Sequence, residues 1–287
     1  MQNLRIERVA NAEAFLEGTL ALRLANPVNT NVLGSIAGSV ADGSRQYDEQ
    51  FWWLVHEGDR VIGAAAHTPP NRPVLSPMPE AAARALADAV HGACPVVRGV
   101  TGPEPAAAAF AARVGELTGA DASRSKVREL IYVLGEHTPR ADVPGRARIA
   151  QSGDVPMLLE WFSAFSLEAL GSVHVGTEDD MRRRLEHRDM LIWESDGMPV
   201  AMSGHATLTP SPVGDLGRIG PVFTVPGHRG SGYGAAVTSA MVEHLRGMGC
   251  AVVLLYADAD YPQSNKVYRA LGFEVVGSVV ELGDACA

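Results

Sequence analysis

Residues 218–234 read RIGPVFTVPGHRGSGYG: an apolar run, a proline break, and then a loop in which glycine recurs at 230, 232 and 234 behind Arg229. The next stretch, AAVTSAMVEHLRGM, sets Val237, Met241, Val242 and Leu245 at helical spacing, and Gly247 and Gly249 close the helix. A loop between a strand and a helix offers the free amides of the helix N-terminus, which with the positive end of the helix dipole make an anion site. Glycine permits positive φ there and lets a phosphate approach where a Cβ would stand in the way. Three readings fit such a loop. One is a tight turn without ligand; a second is a dinucleotide fold, because Gly230, Gly232 and Ala235 spell GxGxxA and Asp258 follows at a suitable distance. The third is a pyrophosphate cradle of another kind. Pro226, Gly227 and His228 separate the strand from the first glycine, and only 31 residues follow Tyr256, too few to complete a doubly wound sheet.

Downstream, AVVLLY (251–256) reads as a buried strand, ADADYPQ as a polar loop, SNKVYRAL as a short helix closed by Gly272, and FEVVGSVVEL as a last strand. Upstream, Phe51 to His67 (FWWLVHEGDRVIGAAAH) and Asp189 to His205 (DMLIWESDGMPVAMSGH) tell one story twice. Each is an apolar run, an acidic glycine turn and a second apolar run ending in histidine, which predicts two β-hairpins and a duplicated domain. HTPRADVPGRARIA (137–150) breaks the pattern between them, placing a linker at about 138–145. The first half should carry helices after Pro79 and Pro105 and the strand ELIYVL at Glu129 to Leu134. Where its glycine loop should be, it reads SPMPEAAARAL.

Length and composition bound the rest. At 287 residues with 46% hydrophobic content, the chain has material for two cores, which excludes wholesale disorder and a disulfide-stapled miniprotein. Of the net charge of −9, residues 1–140 supply 13 basic against 15 acidic groups and the remainder 11 against 18. The acidic second half argues against nucleic acid or an anionic membrane as partner. Cys94, Cys250 and Cys286 show no CxxC spacing, and methionine and cysteine show no metal-ligand pattern, so no metal is expected and a reducing cytoplasm fits. The start, MQNLRIERVANAEAF, has no apolar signal core.

RGSGYG together with SNKVYRALGF (264–273), one helix and one strand apart, resembles the two signatures of the GNAT superfamily of N-acetyltransferases, R/Q-x-x-G-x-G/A and N-x-x-Y-x-x-x-G-F. The resemblance covers about 145–287, and residues 1–140 look like a degenerate copy. It implies an α/β (α+β) protein of two tandem GNAT-like domains, each a mixed, mostly antiparallel sheet flanked by helices. The first (1–140) would be a scaffold without coenzyme A; the second (145–287) would be catalytic, with a splayed strand pair. Acetyl-CoA would be the co-substrate and a primary amine of a small molecule the acceptor, by direct transfer in a ternary complex. The protein would be a monomer or homodimer. By the same resemblance, the pantetheine arm would pair with backbone around Phe223, Thr224 and Val225, and Arg229, Gly230, Ser231, Gly232, Tyr233 and Gly234 would take the pyrophosphate. Asn265 would help hold the pantetheine and Tyr268 would protonate the leaving thiolate, a task suited to a phenol with a pKa near 10. A backbone N–H near Val225 or Phe223 would meet the oxyanion.

No carboxylate lies within 218–225, so the general base stays open among Glu194, His205, Asp215, Asp258, His174 and a water relay. Asp258, Asp260 and Glu194 could also favour a cationic amine. MRRRLEHR (181–188), led by three acids, reads as a solvated helix arranged along its dipole. Trp52, Trp53, Trp161 and Trp193 read as core. An acyl-CoA sensor without turnover is the alternative function, and a dinucleotide-binding protein a more distant one.

Overall fold

The computed structural model describes residues 4–94, 96–97, 99–119, 126–140, 142–170 and 177–283. The chain forms two compact units: Met1–Leu130 with Thr209–Pro212 and Gly277–Ala287, and Ile131–Leu208 with Val213–Val276. In chain order the elements are β1 (Leu4–Val9), α1 (Ala12–Gly18), α2 (Leu20–Ala25), α3 (Pro27–Ala41), β2 (Phe51–Glu57), β3 (Arg60–His67), β4 (Val74–Leu75), α4 (Glu80–Ala93), β5 (Gly99–Gly102) and α5 (Glu104–Thr118). There follow β6 (Lys126–Leu134), β7 (Arg146–Ile149), α6 (Val155–Leu170), α7 (Glu178–Glu186), β8 (Met190–Ser195), β9 (Met198–His205) and β10 (Thr209–Ser211). The chain ends with β11 (Gly214–Thr224), α8 (Tyr233–Gly247), β12 (Cys250–Asp258), α9 (Pro262–Ala270) and β13 (Phe273–Gly283).

The packing division differs from a linear cut at 140. Both β6 and β13 straddle it, and Val280–Gly283 of β13 pair antiparallel with β5 of the first unit. A strand hydrogen-bonds locally along its length, so its two halves can serve different cores. Residues 131–140 therefore pack with the second unit.

Both expected hairpins form, β2/β3 and β8/β9. The second turns through Asp196 and Gly197 at φ +51° and +76°, the left-handed pair a two-residue turn needs. In the second unit β7, β8, β9 and β11 run antiparallel in that order and β11 is parallel to β12. One face packs on α6 through Trp161, Met190, Ile192, Met202 and Phe223. The predicted stripe of α8, from Val237 to Leu245, is buried.

The first unit repeats this plan, with β1 to β4 antiparallel and β4 parallel to β5, but its equivalent of the glycine loop is filled. Buried Ser76 accepts a hydrogen bond from the Ala64 amide at 2.9 Å and donates to the Pro77 carbonyl. Leu75 lies against Gly102, where a Cβ would stand 3.1 Å from that of Leu75. Pro79 caps α4 and Glu80 occupies its first turn, so an amide is missing and an anion would meet a like charge.

His67, at the end of β3, is 3% exposed, and burial pushes its imidazole down to about 4. The folded pKa lies below the unfolded value, so the unfolded chain takes the proton first. Stability is intact above about pH 6.5 and falls by up to about 3 kcal/mol as the pH drops toward 4. Urea midpoints at pH 7 and pH 4.5 should separate widely for the wild type and less for His67→Gln.

Candidate active site

β11 and β12 pair in parallel from Asp215↔Cys250 to Ile219↔Leu255, and then part, although β11 runs on to Thr224 and β12 to Asp258. Beyond that point β11 keeps its other neighbour, with Val222↔Ser203, Phe223↔Met202 and Thr224↔Ala201 across to β9. A register shift between Ile219 and Val222 bends the strand there. This is the expected splayed pair, and the gap exposes backbone groups.

Which groups face the gap differs from expectation. The Val225 amide donates to the Val200 carbonyl at 3.1 Å. Antiparallel alternation then directs the Phe223 groups toward β9 as well, and leaves those of Val222 and Thr224 facing the gap. The Val225 amide is thus engaged with β9 and the Phe223 amide turned toward it, so neither faces the gap as expected of an oxyanion donor, whereas those of Val222 and Thr224 do. Sequence alone missed Val222 because the bulge that sets the alternation carries no residue signature.

At the mouth of the gap, Gly230 and Gly232 sit at φ +84° and +85°, and Gly232 caps α8. A Cβ on Gly230 would meet nothing within 4 Å, whereas one on Gly232 would approach Val143 to 3.0 Å and one on Gly234 the Thr224 hydroxyl to 3.2 Å. Among the described residues, the amides of Gly230 through Ala235 donate to no protein group. These glycines are thus spent on conformation and clearance, and they leave a row of donors at a helix start. Ser231 is exposed. Tyr233 anchors the helix start by donating to Ser195 Oγ at 3.1 Å. Arg229 donates from Nε to the Thr224 carbonyl at 3.0 Å and from Nη2 to both carboxylate oxygens of Glu168 at 2.9 and 2.8 Å, with its guanidinium 5.6 Å over the Phe223 ring. Glu168 is a partner that an incoming anion would have to displace.

Asn265 and Tyr268 stand on α9, and the structure separates their roles. Asn265 is 4% exposed. It accepts from the buried Tyr132 hydroxyl at 2.9 Å and donates to the carbonyls of Asp258 at 2.8 Å and Tyr261 at 3.0 Å. Both amide protons are used inside the protein, so Asn265 fastens the β12–α9 loop and has little left for a pantetheine. Tyr268 is half-buried between the rings of Tyr132 at 6.1 Å and Phe273 at 6.2 Å, and its hydroxyl makes no hydrogen bond to the described residues. Burial pushes the phenol up to about 12, so it stays protonated at any working pH. Tyr132, which lies in the ELIYVL strand before the linker, had no motif to mark it.

The candidate bases scatter. Glu194 is held by Arg148 at 2.6 Å, which also binds Asp154; Asp215 pairs with Cys250 at the opposite end of β11 from the gap. Asp258 is exposed and accepts from the Asp260 amide at 2.8 Å. His205 is buried with its ring against His244 of α8, 3.7 Å from Asp189, and burial holds its pKa down. His174 lies outside the described residues. No group of three or more metal-type ligands occurs among the described residues, and no described helix is long and apolar enough to cross a membrane.

Comparison with known proteins matches residues 155–273 to the acetyltransferase (GNAT) family. A mycothiol acetyltransferase of Saccharopolyspora erythraea is 35% identical over 112 residues, 37% of this chain and 36% of that protein. One of Frankia alni is 31% identical over 208 residues, 61% of this chain and 56% of that protein. These alignments thus span between about a third and about half of the curated relatives. A solved tandem GNAT protein from the clavulanic acid biosynthesis pathway superposes with a TM-score of 0.59 at 17% identity, covering 99% of each chain. The paired signatures, the splayed strands and these matches agree: residues 155–273 match the acetyltransferase (GNAT) family, and the chain is similar in fold to a solved tandem GNAT protein.

Proposed function

We propose that the protein transfers an acetyl group from acetyl-CoA to a primary amine of a small molecule, directly and within a ternary complex, in its second unit. The observation that carries this reading is the β11–β12 gap leading to the undonated amides of Gly230 through Ala235. Those residues fit coenzyme A: the cradle is open above Gly230, α8 starts without an acidic residue in its first turn, and Arg229 stands beside it. When bound, acetyl-CoA supplies the activated acyl group. Val222 and Thr224 offer backbone partners along the gap, the Gly230–Ala235 amides and Arg229 hold phosphate, and Tyr268 donates a proton to the departing sulfur. With no described carboxylate facing the gap from β11 beyond Ile219, proton removal from the amine falls to water. The names of the relatives, mycothiol acetyltransferases, support a small-molecule acceptor. The first unit, with Ser76, Pro79 and Glu80 where the cradle would be, holds no coenzyme A in this manner and serves as scaffold.

Calorimetry with acetyl-CoA and release of free thiol across a panel of amines test the reading; binding without release for every amine would favour a sensor. Arg229→Ala should weaken acetyl-CoA binding about tenfold, as expected for loss of a charge-assisted bond to phosphate, and do less to kcat. A linear deletion of residues 1–140 is a poor test of the scaffold role, because it removes Tyr132 and the rest of 131–140 from the second unit.

A further inference from the structure

Helix α6 lays Trp161 and Phe165 on the second-unit sheet, with Trp161 6.1 Å from the Phe223 ring. Glu168 follows Phe165 by three residues, so it falls on the same side of the helix and stands over the end of β11. There both of its carboxylate oxygens accept from Arg229 Nη2, at 2.9 and 2.8 Å, while the guanidinium lies 5.6 Å over the Phe223 ring. The same guanidinium donates from Nε to the Thr224 carbonyl at 3.0 Å. Where that carbonyl points is fixed by the next amide. The Val225 N–H is turned toward β9, where it donates to the Val200 carbonyl, and in a planar trans peptide the Thr224 oxygen points the opposite way, into the gap. Arg229 thus spends Nε on the last gap-facing acceptor of β11 and Nη2 on Glu168, and among the described residues the Glu168 side chain bonds nothing else.

We propose that Glu168 is a positioning residue that holds Arg229 in this resting pose across the mouth of the gap, so that acetyl-CoA must take the arginine from Glu168 in order to bind. This rests on the acetyl-transfer reading above. The exchange replaces one charge-assisted bond, to carboxylate, by another, to phosphate, and affinity falls in proportion to the fraction of molecules in which Arg229 is still held. Moving the arginine also frees the Thr224 carbonyl for the pantetheine arm, so both ends of the co-substrate depend on one displacement. Coenzyme A carries the same phosphates as acetyl-CoA, so Glu168 weakens product and co-substrate alike and recaptures Arg229 when the product leaves.

The test uses the full chain, with calorimetry for acetyl-CoA and for coenzyme A, and steady-state thiol release across a panel of amines. Glu168 is exposed on a helix, so Glu168→Gln leaves the fold intact. At low ionic strength this variant should bind both ligands about fourfold more tightly than wild type, the scale of an exposed ion pair, and the gain should shrink below about twofold in ~0.5 M salt. Its KM for acetyl-CoA should fall by a like factor while kcat moves less than about twofold, a split that a merely structural residue does not give. In Arg229→Ala, adding Glu168→Gln should change the affinity by less than about twofold, because Glu168 acts through the arginine. Unchanged or weaker binding in Glu168→Gln, or the same gain in the absence of Arg229, overturns the proposal. A wild type that binds no acetyl-CoA overturns it together with the reading on which it rests. Tighter binding in Glu168→Gln with no thiol release from any amine leaves the positioning role standing and sinks the acetyl-transfer reading alone.

Discussion

Tyr268→Phe is expected to lower kcat by about a hundredfold or more while leaving acetyl-CoA affinity within about twofold of wild type. A positioned general acid contributes roughly two to four powers of ten, and the phenol is the group this site offers for the departing sulfur. The ring packs between Tyr132 and Phe273, and the hydroxyl bonds no described protein group, so phenylalanine keeps the packing and removes the proton donor alone. Thermal unfolding should therefore move little. With the phenol pushed up to about 12, kcat should show no alkaline limb from Tyr268 below about pH 11. A variant with wild-type kcat would remove Tyr268 from the chemistry.

The elements of the second unit were legible wherever a local rule wrote them. Apolar spacing marked α8, glycine turns marked the hairpins, and RGSGYG and SNKVYRALGF marked the loop before α8 and α9 itself, because each depends on residues adjacent in sequence. What stayed hidden depends on pairing across the sheet. The shift between Ile219 and Val222 decides which amides face the gap, and nothing in RIGPVFTV announces it. Asn265 stands on the helix its motif marked, but its partner Tyr132 lies 133 residues earlier, so its use as a fastening could not be read. Arg184 looks like any charge in MRRRLEHR until the contacts with Phe162 and Gly204 are seen. The compact units depart from a linear cut at 140 for the same reason, since the straddling strands carry the same β pattern along their length.

Gly272→Ala is expected to destabilise the second unit by about 4 kcal/mol or more, lowering the unfolding midpoint and losing soluble protein. Gly272 sits at φ +94°, and a Cβ there would stand 1.8 Å from the Glu136 carbonyl oxygen and 2.8 Å from its carbon. That neighbour is backbone and cannot rotate aside. It is also tied in place, because the Gly135 amide donates to the Gly272 carbonyl at 2.9 Å and the Thr138 amide to the Leu271 carbonyl at 3.1 Å. Relieving the clash must break those bonds, on top of the left-handed strain on an L-residue. Gly247→Ala is the control: Gly247 is the last residue of α8, a Cβ there meets nothing within 4 Å, and the change should be neutral or stabilising by up to about 1 kcal/mol. If both variants unfold alike, the close approach to Glu136 is not what the site requires. If they differ as expected, the glycine of the second signature is explained by the chain crossing it after β6, which holds Tyr132 beneath α9 and so sets where Tyr268 stands.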